Sequence, residues 1–117
     1  MATGIALLNP ELKMAALSPD ESLTVQKVAA DRFIREFGII PLVLNPHQLN
    51  NYYTIPHALL FDLKKYHVSK VDYLILYSLR TVERFQYIYP EKWTQLICSF
   101  HQVTCLDSRI CVFPEVG

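Results

Sequence analysis

The stretch that decides the fold is residues 71–84, Val-Asp-Tyr-Leu-Ile-Leu-Tyr-Ser-Leu-Arg-Thr-Val-Glu-Arg. Its first half is β-branched, aliphatic or aromatic apart from Asp72, and it is too short to cross a membrane. A run of this kind is typical of a strand buried on both faces, in the middle of a parallel sheet covered by helices. In such sheets ligands bind beyond the carboxyl ends of the strands, so residues 78–84 are the first place to look for chemistry.

The composition indicates one ordinary domain, residues 1–117. Of its 117 residues 51% are hydrophobic, which is enough apolar material to close a core. The 11 Lys and Arg residues balance 11 Asp and Glu residues, so no overall field draws the chain toward nucleic acid. No apolar segment approaches the length of a membrane span and no secretory signal is present, so we expect a cytoplasmic protein without membrane contact.

Helix and strand signals alternate along the chain. Residues 4–8 are a short apolar run closed by Asn9-Pro10, which predicts a first strand entering a loop. Residues 18–21, Ser-Pro-Asp-Glu, form a capping box, so a helix begins there and ends at Gly38. Apolar residues at helical spacing predict that its inner face includes Ala30, Ile34 and Phe37.

The remaining elements complete an α/β order. The further predicted strands are residues 39–44, 71–77, 103–106 and 110–113, and the further predicted helices are residues 55–67, capped by Thr54, and residues 91–100. Residues 45–53 are predicted to be a loop, and residues 11–17 fit a loop, a helical turn or a continued strand. Pro41 favours an edge position for its strand, because proline cannot donate to the ladder. The alternation predicts a three-layer α/β domain with a mostly parallel sheet of about four or five strands.

In this order of elements the chain resembles the catalytic amino-terminal domain of serine recombinases, the resolvase and invertase family. Residues 26–38 resemble the family's first helix, which has a glutamine early and a glycine at its end. Residues 71–79 resemble its strand of the type Phe-Asp-Val-Val-Leu-Val-Tyr, which runs into Lys-Leu-Asp-Arg-Leu-Ser-Arg. Residues 55–63 resemble the helix led by Arg-Pro just upstream. The resemblance spans nearly all of the chain, and it covers only the catalytic domain, without the basic DNA-binding domain.

The resemblance implies a phosphate site from which this chain departs. In the family a serine attacks a DNA phosphodiester, and several arginines neutralise the charge of the transition state. Here Arg80 stands where the family has aspartate, Thr81 stands where it has arginine, and Ile55 replaces the arginine before proline. Arg84 keeps its expected place, but Glu83 beside it would repel a phosphate. The arginine expected at the end of the first strand has no counterpart.

The position of the implied nucleophile depends on the register of the first strand. If residues 5–8 form that strand, Asn9-Pro10 stands near the nucleophile position and neither residue can attack phosphate. If residues 14–17 form it, residues 18–21 resemble the family's Ser-Thr-Asp-Glu and Ser18 becomes the candidate nucleophile. A helix cap explains the same serine without further assumptions.

These departures predict a catalytically inactive serine-recombinase homologue that acts through contacts with a protein partner or with its own copy, in a regulatory or self-associating role. Two alternatives remain open. One is a small recombinase that cleaves DNA through Ser18 and Arg84. The other is a small-anion or nucleotide binder in which Arg80 and Arg84 grip the anion at the strand ends.

A dense set of aromatic residues favours contacts, because exposed aromatic side chains often mark interfaces. The set is Tyr52, Tyr53, Tyr66, Tyr73, Tyr77, Tyr87, Tyr89 and Trp93, of which Tyr73 is expected in the core.

We expect no cofactor and no metal. The cysteines, Cys98, Cys105 and Cys111, are an odd number without a Cys-x-x-Cys pair, which favours reduced core thiols over a zinc site completed by His101. The histidines, His47, His57, His67 and His101, have no metal-ligand spacing and are expected at the surface.

Overall fold

A computed structural model describes residues 2–68, residues 70–107 and the backbone of residues 110–112. In these ranges the strands are β1 (Thr3–Leu7), β2 (Ile40–Pro41), β3 (Tyr52–Tyr53), β4 (Val71–Leu76), β5 (Phe100–Cys105) and β6 (Ile110–Val112). The α-helices are α1 (Pro19–Glu36), α2 (Pro56–Lys65), α3 (Glu83–Ile88) and α4 (Pro90–Ile97), and a 3-10 turn spans Leu79–Thr81.

One sheet with β1 and β4 at its centre contains all the described strands. Its order is β2-β1-β4-β5-β6, and β3 pairs with β1 beyond the end of β2. Every neighbouring pair is parallel except β5 with β6, which is antiparallel. The prediction of an α/β domain with a mostly parallel sheet is confirmed.

The central strand β4 is buried on both faces, as predicted. Leu74, Ile75 and Leu76 have no exposed surface. Its single charge, Asp72, accepts a hydrogen bond from the backbone N–H of Thr3 at 2.8 Å. This bond is the main reason that the pKa of Asp72 lies below its ordinary value.

Helices cover the two faces of the sheet unequally. One core cluster packs the sheet against α2, α3 and α4 through Leu59, Leu63, Phe85 and Leu96. Among the described helices only α1 packs against the opposite face, in a cluster around Ala30. None of the helices in the described ranges combines the length and the apolar character that a membrane span requires.

The predicted capping box at the start of α1 is present. The Oγ of Ser18 accepts from the backbone N–H of Glu21 at 3.2 Å, and the Glu21 carboxylate accepts from the Ser18 N–H at 2.9 Å. The latter bond lowers the pKa of Glu21. At the other end Phe37 is the C-cap, and Gly38 follows with φ +60°, a left-handed conformation that favours glycine.

The edge of the sheet beside β1 differs from the prediction. Residues 39–44 were expected to be one strand, but β2 contains only Ile40–Pro41. On either side of Pro41 the Ile40 N–H donates to the carbonyl oxygen of Ala2, just before β1, and the Leu42 N–H donates to that of Gly4 in β1. The missing proline donor therefore falls on the open side of an edge strand. The predicted loop over residues 45–53 ends instead in β3, which occupies the remaining length of β1.

Several helix boundaries were also wrong. Ile55, not Thr54, is the N-cap of α2, and it makes no side-chain cap bond. The helix expected over residues 91–100 ends at Ile97, because fully buried Phe100 is already the first residue of β5. The 3-10 turn and α3 lie in a region for which no helix was predicted. The expected end of the last strand, Phe113, lies outside the described residues.

Candidate functional site

The carboxyl ends of β1 and β4 lie side by side at the centre of the sheet. After β1 the chain builds the edge at β2 and β3, and after β4 it builds the other edge at β5 and β6. Parallel α/β sheets bind ligands at such a reversal of strand order. Five polar residues on the elements that meet there, Asn9, Ser22, Gln26, Ser78 and Thr81, are called the carboxyl-end cluster below.

Gln26 is fully buried and joins α1 to the residues that follow β1. Its Oε1 accepts from the backbone N–H of Asn9 at 2.9 Å, and its Nε2 donates to the Asn9 carbonyl oxygen at 2.8 Å. The same Nε2 lies 3.2 Å from the Oγ of Ser22, which donates to the Leu12 carbonyl oxygen at 2.6 Å. The buried amide therefore satisfies backbone groups that have left the sheet and fixes the loop against α1.

The side chain of Asn9 bridges the ends of the two central strands. Its Nδ2 donates to the carbonyl oxygen of Thr81, beyond β4, at 3.3 Å. Its Oδ1 accepts from the backbone N–H of Glu11 at 2.9 Å, a local turn that is common for asparagine. Both ends of this amide are thus used within the chain.

Ser78 and Thr81 are buried in the turn that follows β4. The Oγ of Ser78 accepts from the backbone N–H of Arg80 at 3.1 Å, and the Ser78 carbonyl oxygen accepts from the Thr81 N–H at 3.0 Å. The Oγ1 of Thr81 has no hydrogen-bond partner within the described residues.

The structure gives the first strand the register that places Asn9-Pro10 at its carboxyl end, because β1 ends at Leu7. Residues 14–17 form a turn, closed by a bond from the Leu17 N–H to the Met14 carbonyl oxygen at 2.9 Å. Ser18 is exposed at the N-cap of α1, and its hydroxyl oxygen accepts a bond from its own helix.

The two candidate anion-binding residues, Arg80 and Arg84, are both exposed. Arg80 belongs to the 3-10 turn, and its Nη2 donates to the carbonyl oxygen of Lys13 at 3.4 Å. Arg84 lies in the first turn of α3 beside exposed Glu83. Their attraction for an anion is weakened by water and salt, as it is for other exposed charges.

A cavity of about 190 Å³ lies between β3, α2 and the loop before β3. Its wall includes Tyr53 and Asp62, both buried, and the Tyr53 hydroxyl donates to Oδ2 of Asp62 at 2.7 Å. Burial, together with the neighbouring carboxylate, raises the pKa of Tyr53 above its ordinary value. Gln48 also lines this cavity, and its buried Oε1 has no partner among the described residues.

The described histidines and cysteines form no metal site. All four histidines are exposed, and the ring of His57 lies 5.0 Å from Phe85 and 4.5 Å from Tyr89. Among the described residues no group of three His, Cys, Asp or Glu side chains can hold a metal ion. Cys105 is buried, but Cys98 is exposed, which corrects the expectation of a core thiol there. The side chain of Cys111 lies outside the described residues.

Sequence reasoning missed an apolar surface on α1. Phe37, which was predicted to face inward, is 57% exposed, and Val25 is 36% exposed. Residues 25, 29, 33 and 37 follow one another at intervals of about one helical turn, with Arg32 and Glu36 beside them. We call this set the α1 flank: Val25, Ala29, Arg32, Phe33, Glu36 and Phe37. The apolar residues at 25, 29, 33 and 37 were a detectable signal, since they form a second apolar row beside the core-facing one.

A groove of about 270 Å³ runs between the α1 flank and the end of β5. Thr104, Cys105 and Leu106 line it on the sheet side. On the helix side the rings of Phe33 and Phe37 lie 4.6 Å apart. The groove is therefore mostly apolar, with Arg32 and Glu36 as the charged residues of its lining.

Comparisons with models of protein families, with curated proteins and with solved structures found no match. The geometry of this chain is therefore what indicates its function.

Proposed function

We propose that this chain is a catalytically inactive domain of the serine-recombinase type that acts through contacts with another protein or with its own copy. The observation that carries the proposal is the internal hydrogen bonding of the carboxyl-end cluster. The amides of Asn9 and Gln26 and the hydroxyl oxygens of Ser22 and Ser78 are all engaged within the chain. Breaking these bonds to receive a substrate would leave buried polar groups unpaired.

The charges at this end of the sheet also support the proposal. A reacting phosphodiester needs preorganised donors and cations where negative charge develops, in a site that excludes water. The candidate cations, Arg80 and Arg84, are exposed, and Arg80 already donates to the Lys13 carbonyl oxygen. The buried members of the cluster are uncharged, so they add no positive charge.

The hydroxyl of Ser18 serves a structural role that competes with nucleophilic attack. It accepts the Glu21 N–H while the Glu21 carboxylate accepts the Ser18 N–H. That carboxylate, held close to the serine, would repel an approaching phosphate. The residues at the end of β1, Asn9-Pro10, carry no nucleophile.

Exposed apolar side chains support a contact function. The exposed fraction is 87% for Tyr87, 63% for Phe61 and 57% for Phe37. Single exposed apolar residues such as Tyr87 and Phe61 are ordinary, but Phe37 lies beside Phe33 in the lining of the groove, and large apolar side chains around a groove are typical of an interaction surface.

A DNA-cleavage assay tests the absence of chemistry. The chain is incubated with supercoiled plasmid, denatured with detergent, and analysed for a covalent protein–DNA adduct and for nicked DNA. We expect neither product, and an active serine recombinase serves as the positive control.

The variants Ser18→Ala and Arg84→Ala sharpen the result. An adduct that forms with the unchanged chain and disappears with Ser18→Ala would overturn the proposal and establish a small recombinase. Saturable binding of inorganic phosphate that is lost in Arg80→Ala or Arg84→Ala would instead support an anion binder at the strand ends.

A further inference from the structure

We propose that two copies of this chain associate through their α1 flanks, with the two α1 helices antiparallel around a two-fold axis. This inference rests on the proposed function, and it identifies the partner as a second copy of the chain.

The unequal covering of the sheet leaves room for the second copy. Strands are spaced about 4.8 Å apart, so five strand positions span about 19 Å, whereas a packed helix covers about 10 Å. Three helices share the face opposite α1, but α1 is the one helix on its own face within the part of the chain that the structure describes. The α1 helix packs over β1 and β4, and the groove opens beside it at the end of β5.

The two sides of α1 differ in chemistry. The side turned away from the groove carries Thr24, Lys27, Asp31 and Arg35, and Lys27 Nζ lies 5.8 Å from the centre of the Tyr52 ring. A surface helix normally shows polar residues of this kind on every side that does not face the core. The α1 flank departs from this pattern because it carries exposed Val25 and Phe37.

The charges of the flank are complementary to those of an antiparallel copy. Arg32 and Glu36 lie one turn apart on the flank and both line the groove. A two-fold axis between them sets Arg32 of each copy against Glu36 of the other, which forms two ion pairs from one sequence. This self-complementarity is what a two-fold interface requires, and it favours a second copy over an unrelated partner.

The sizes of the apolar side chains fit the same arrangement. Ala29 and Phe37 each lie four residues from Phe33, on opposite sides along the helix. In the antiparallel pair the small Ala29 of one copy therefore lies near the large Phe37 of the other, and the Phe33 side chains meet near the axis. Large side chains opposite small ones allow two helices to approach closely.

The groove is small, so we expect a reversible dimer rather than an obligate one. Sedimentation equilibrium over about a hundredfold range of protein concentration measures its dissociation constant. Reducing agent is present throughout, because the exposed thiol of Cys98 can form disulfide-linked dimers.

Charge exchange is the sharpest test of the geometry. We expect Arg32→Glu and Glu36→Arg each to raise the dissociation constant at least about tenfold, because like charges then face each other across the axis. The double variant Arg32→Glu/Glu36→Arg restores opposite charges, and we expect a dissociation constant within about threefold of the original.

A matched pair of phenylalanines supplies the control. Phe37→Asp places a charge on the α1 flank and should abolish the dimer, whereas Phe61→Asp places one on α2, on the other face of the sheet, and should leave it intact. Both residues are more than half exposed, so both variants should fold, and far-ultraviolet circular dichroism checks this.

If the chain stays monomeric at every concentration, the proposal is wrong. The flank would then be covered by other residues of the same chain or by a different protein. A dimer that is insensitive to Phe37→Asp and to charge exchange overturns the proposal as well. A monomer without a DNA adduct refutes only the dimer. An adduct that depends on Ser18 refutes the proposed function, whatever the oligomeric state.

Discussion

The carboxyl-end cluster and the α1 flank are opposites in chemistry and in availability. The cluster is polar and lies where α/β sheets bind ligands, yet its amides and Ser hydroxyl oxygens are engaged inside the chain. The flank is largely apolar and borders the groove at the end of β5, and its Phe37 is more than half exposed. A polar cluster at this position is therefore not by itself a ligand site, since four of its five side chains are engaged within the chain and the Oγ1 of Thr81 alone has no partner among the described residues.

The same contrast distinguishes residues that fix the fold from residues that act in function. Buried polar networks that are fully satisfied fix the relative position of the elements that they join. Here Gln26 joins α1 to the end of β1, and Asn9 joins that end to the turn after β4. We therefore assign the carboxyl-end cluster to the fold and the α1 flank to contact with a partner. Each variant below tests one side of this assignment.

The largest expected effect is that of Gln26→Ala. The substitution removes the partner of the Asn9 backbone N–H, leaves the Asn9 carbonyl oxygen with the Leu12 N–H alone, and removes buried side-chain volume. We expect the free energy of unfolding to fall by about 3 kcal/mol. Urea denaturation followed by circular dichroism measures it.

Gln95→Ala is the matched control for Gln26→Ala. Gln95 is an exposed helix residue whose amide oxygen accepts from Lys64 Nζ at 2.8 Å, and its loss should change stability by less than about 0.5 kcal/mol. If Gln26→Ala is equally mild, the cluster does not serve the fold and its polar groups are free for a ligand.

Tyr53→Phe comes next in size. It removes the donor that satisfies the buried carboxylate of Asp62, and we expect a loss of about 2 kcal/mol at neutral pH. The raised pKa of Tyr53 means that the folded chain keeps this proton when the unfolded chain begins to lose it near pH 10.0. The free energy of unfolding of the unchanged chain should therefore fall above that pH. Its excess over the free energy of unfolding of Tyr53→Phe should shrink accordingly. If the two free energies of unfolding differ by a constant amount up to about pH 11, the hydroxyl is not buried against Asp62.

Ser18→Ala should cost about 1 kcal/mol, because it removes the side-chain half of the α1 capping box. Thermal unfolding measures the loss, and Ser18→Asp should largely restore stability, since aspartate also caps helices. The dissociation constant of the dimer should stay unchanged in both variants. If Ser18→Ala instead strongly reduces DNA cleavage and leaves the stability unchanged, Ser18 serves catalysis and not the fold.

Thr81→Val has the smallest expected effect. The Oγ1 of Thr81 is buried and has no partner within the described residues, so its replacement by a methyl group should change stability by less than about 0.5 kcal/mol or raise it slightly. Chemical denaturation with and without inorganic phosphate measures the change. A loss above about 1 kcal/mol would mean that the hydroxyl has a partner such as a bound ligand or water, and that the cluster is not closed.

Elements that follow from local chemistry could be predicted from the sequence. The strand around Leu74 to Leu76, the Ser18 capping box and the Gly38 helix end each depend on neighbouring residues, and the structure has all three. The parallel sheet followed from the alternation of strands and helices. The division of the sheet edge beside β1 into β2 and β3 could not be predicted, because the pairing of β3 with β1 is a tertiary contact without a strong local pattern.

The candidate site was harder to predict because its character depends on which polar groups find partners. Asn9 and Gln26 are 17 residues apart, and nothing in their spacing indicates that their amide and backbone groups meet. The error at Phe37 has a geometric cause. Phe37 is the C-cap at the very end of α1, and its ring lies beside that of Phe33 at the groove instead of in the core. The row of Val25, Ala29 and Phe33 that leads to it was visible in the sequence as an apolar stripe.

Backbone NMR of the uniformly labelled chain compares the two regions in one measurement. Amide signals are followed as the protein concentration rises and, separately, as a DNA duplex is added. We expect concentration-dependent shifts at Ala29, Phe33, Phe37 and Leu106, and no DNA-dependent shift at Asn9. Shifts at Asn9, Thr81 and Arg84 on addition of DNA, with an unchanged α1 flank at all concentrations, would contradict the account.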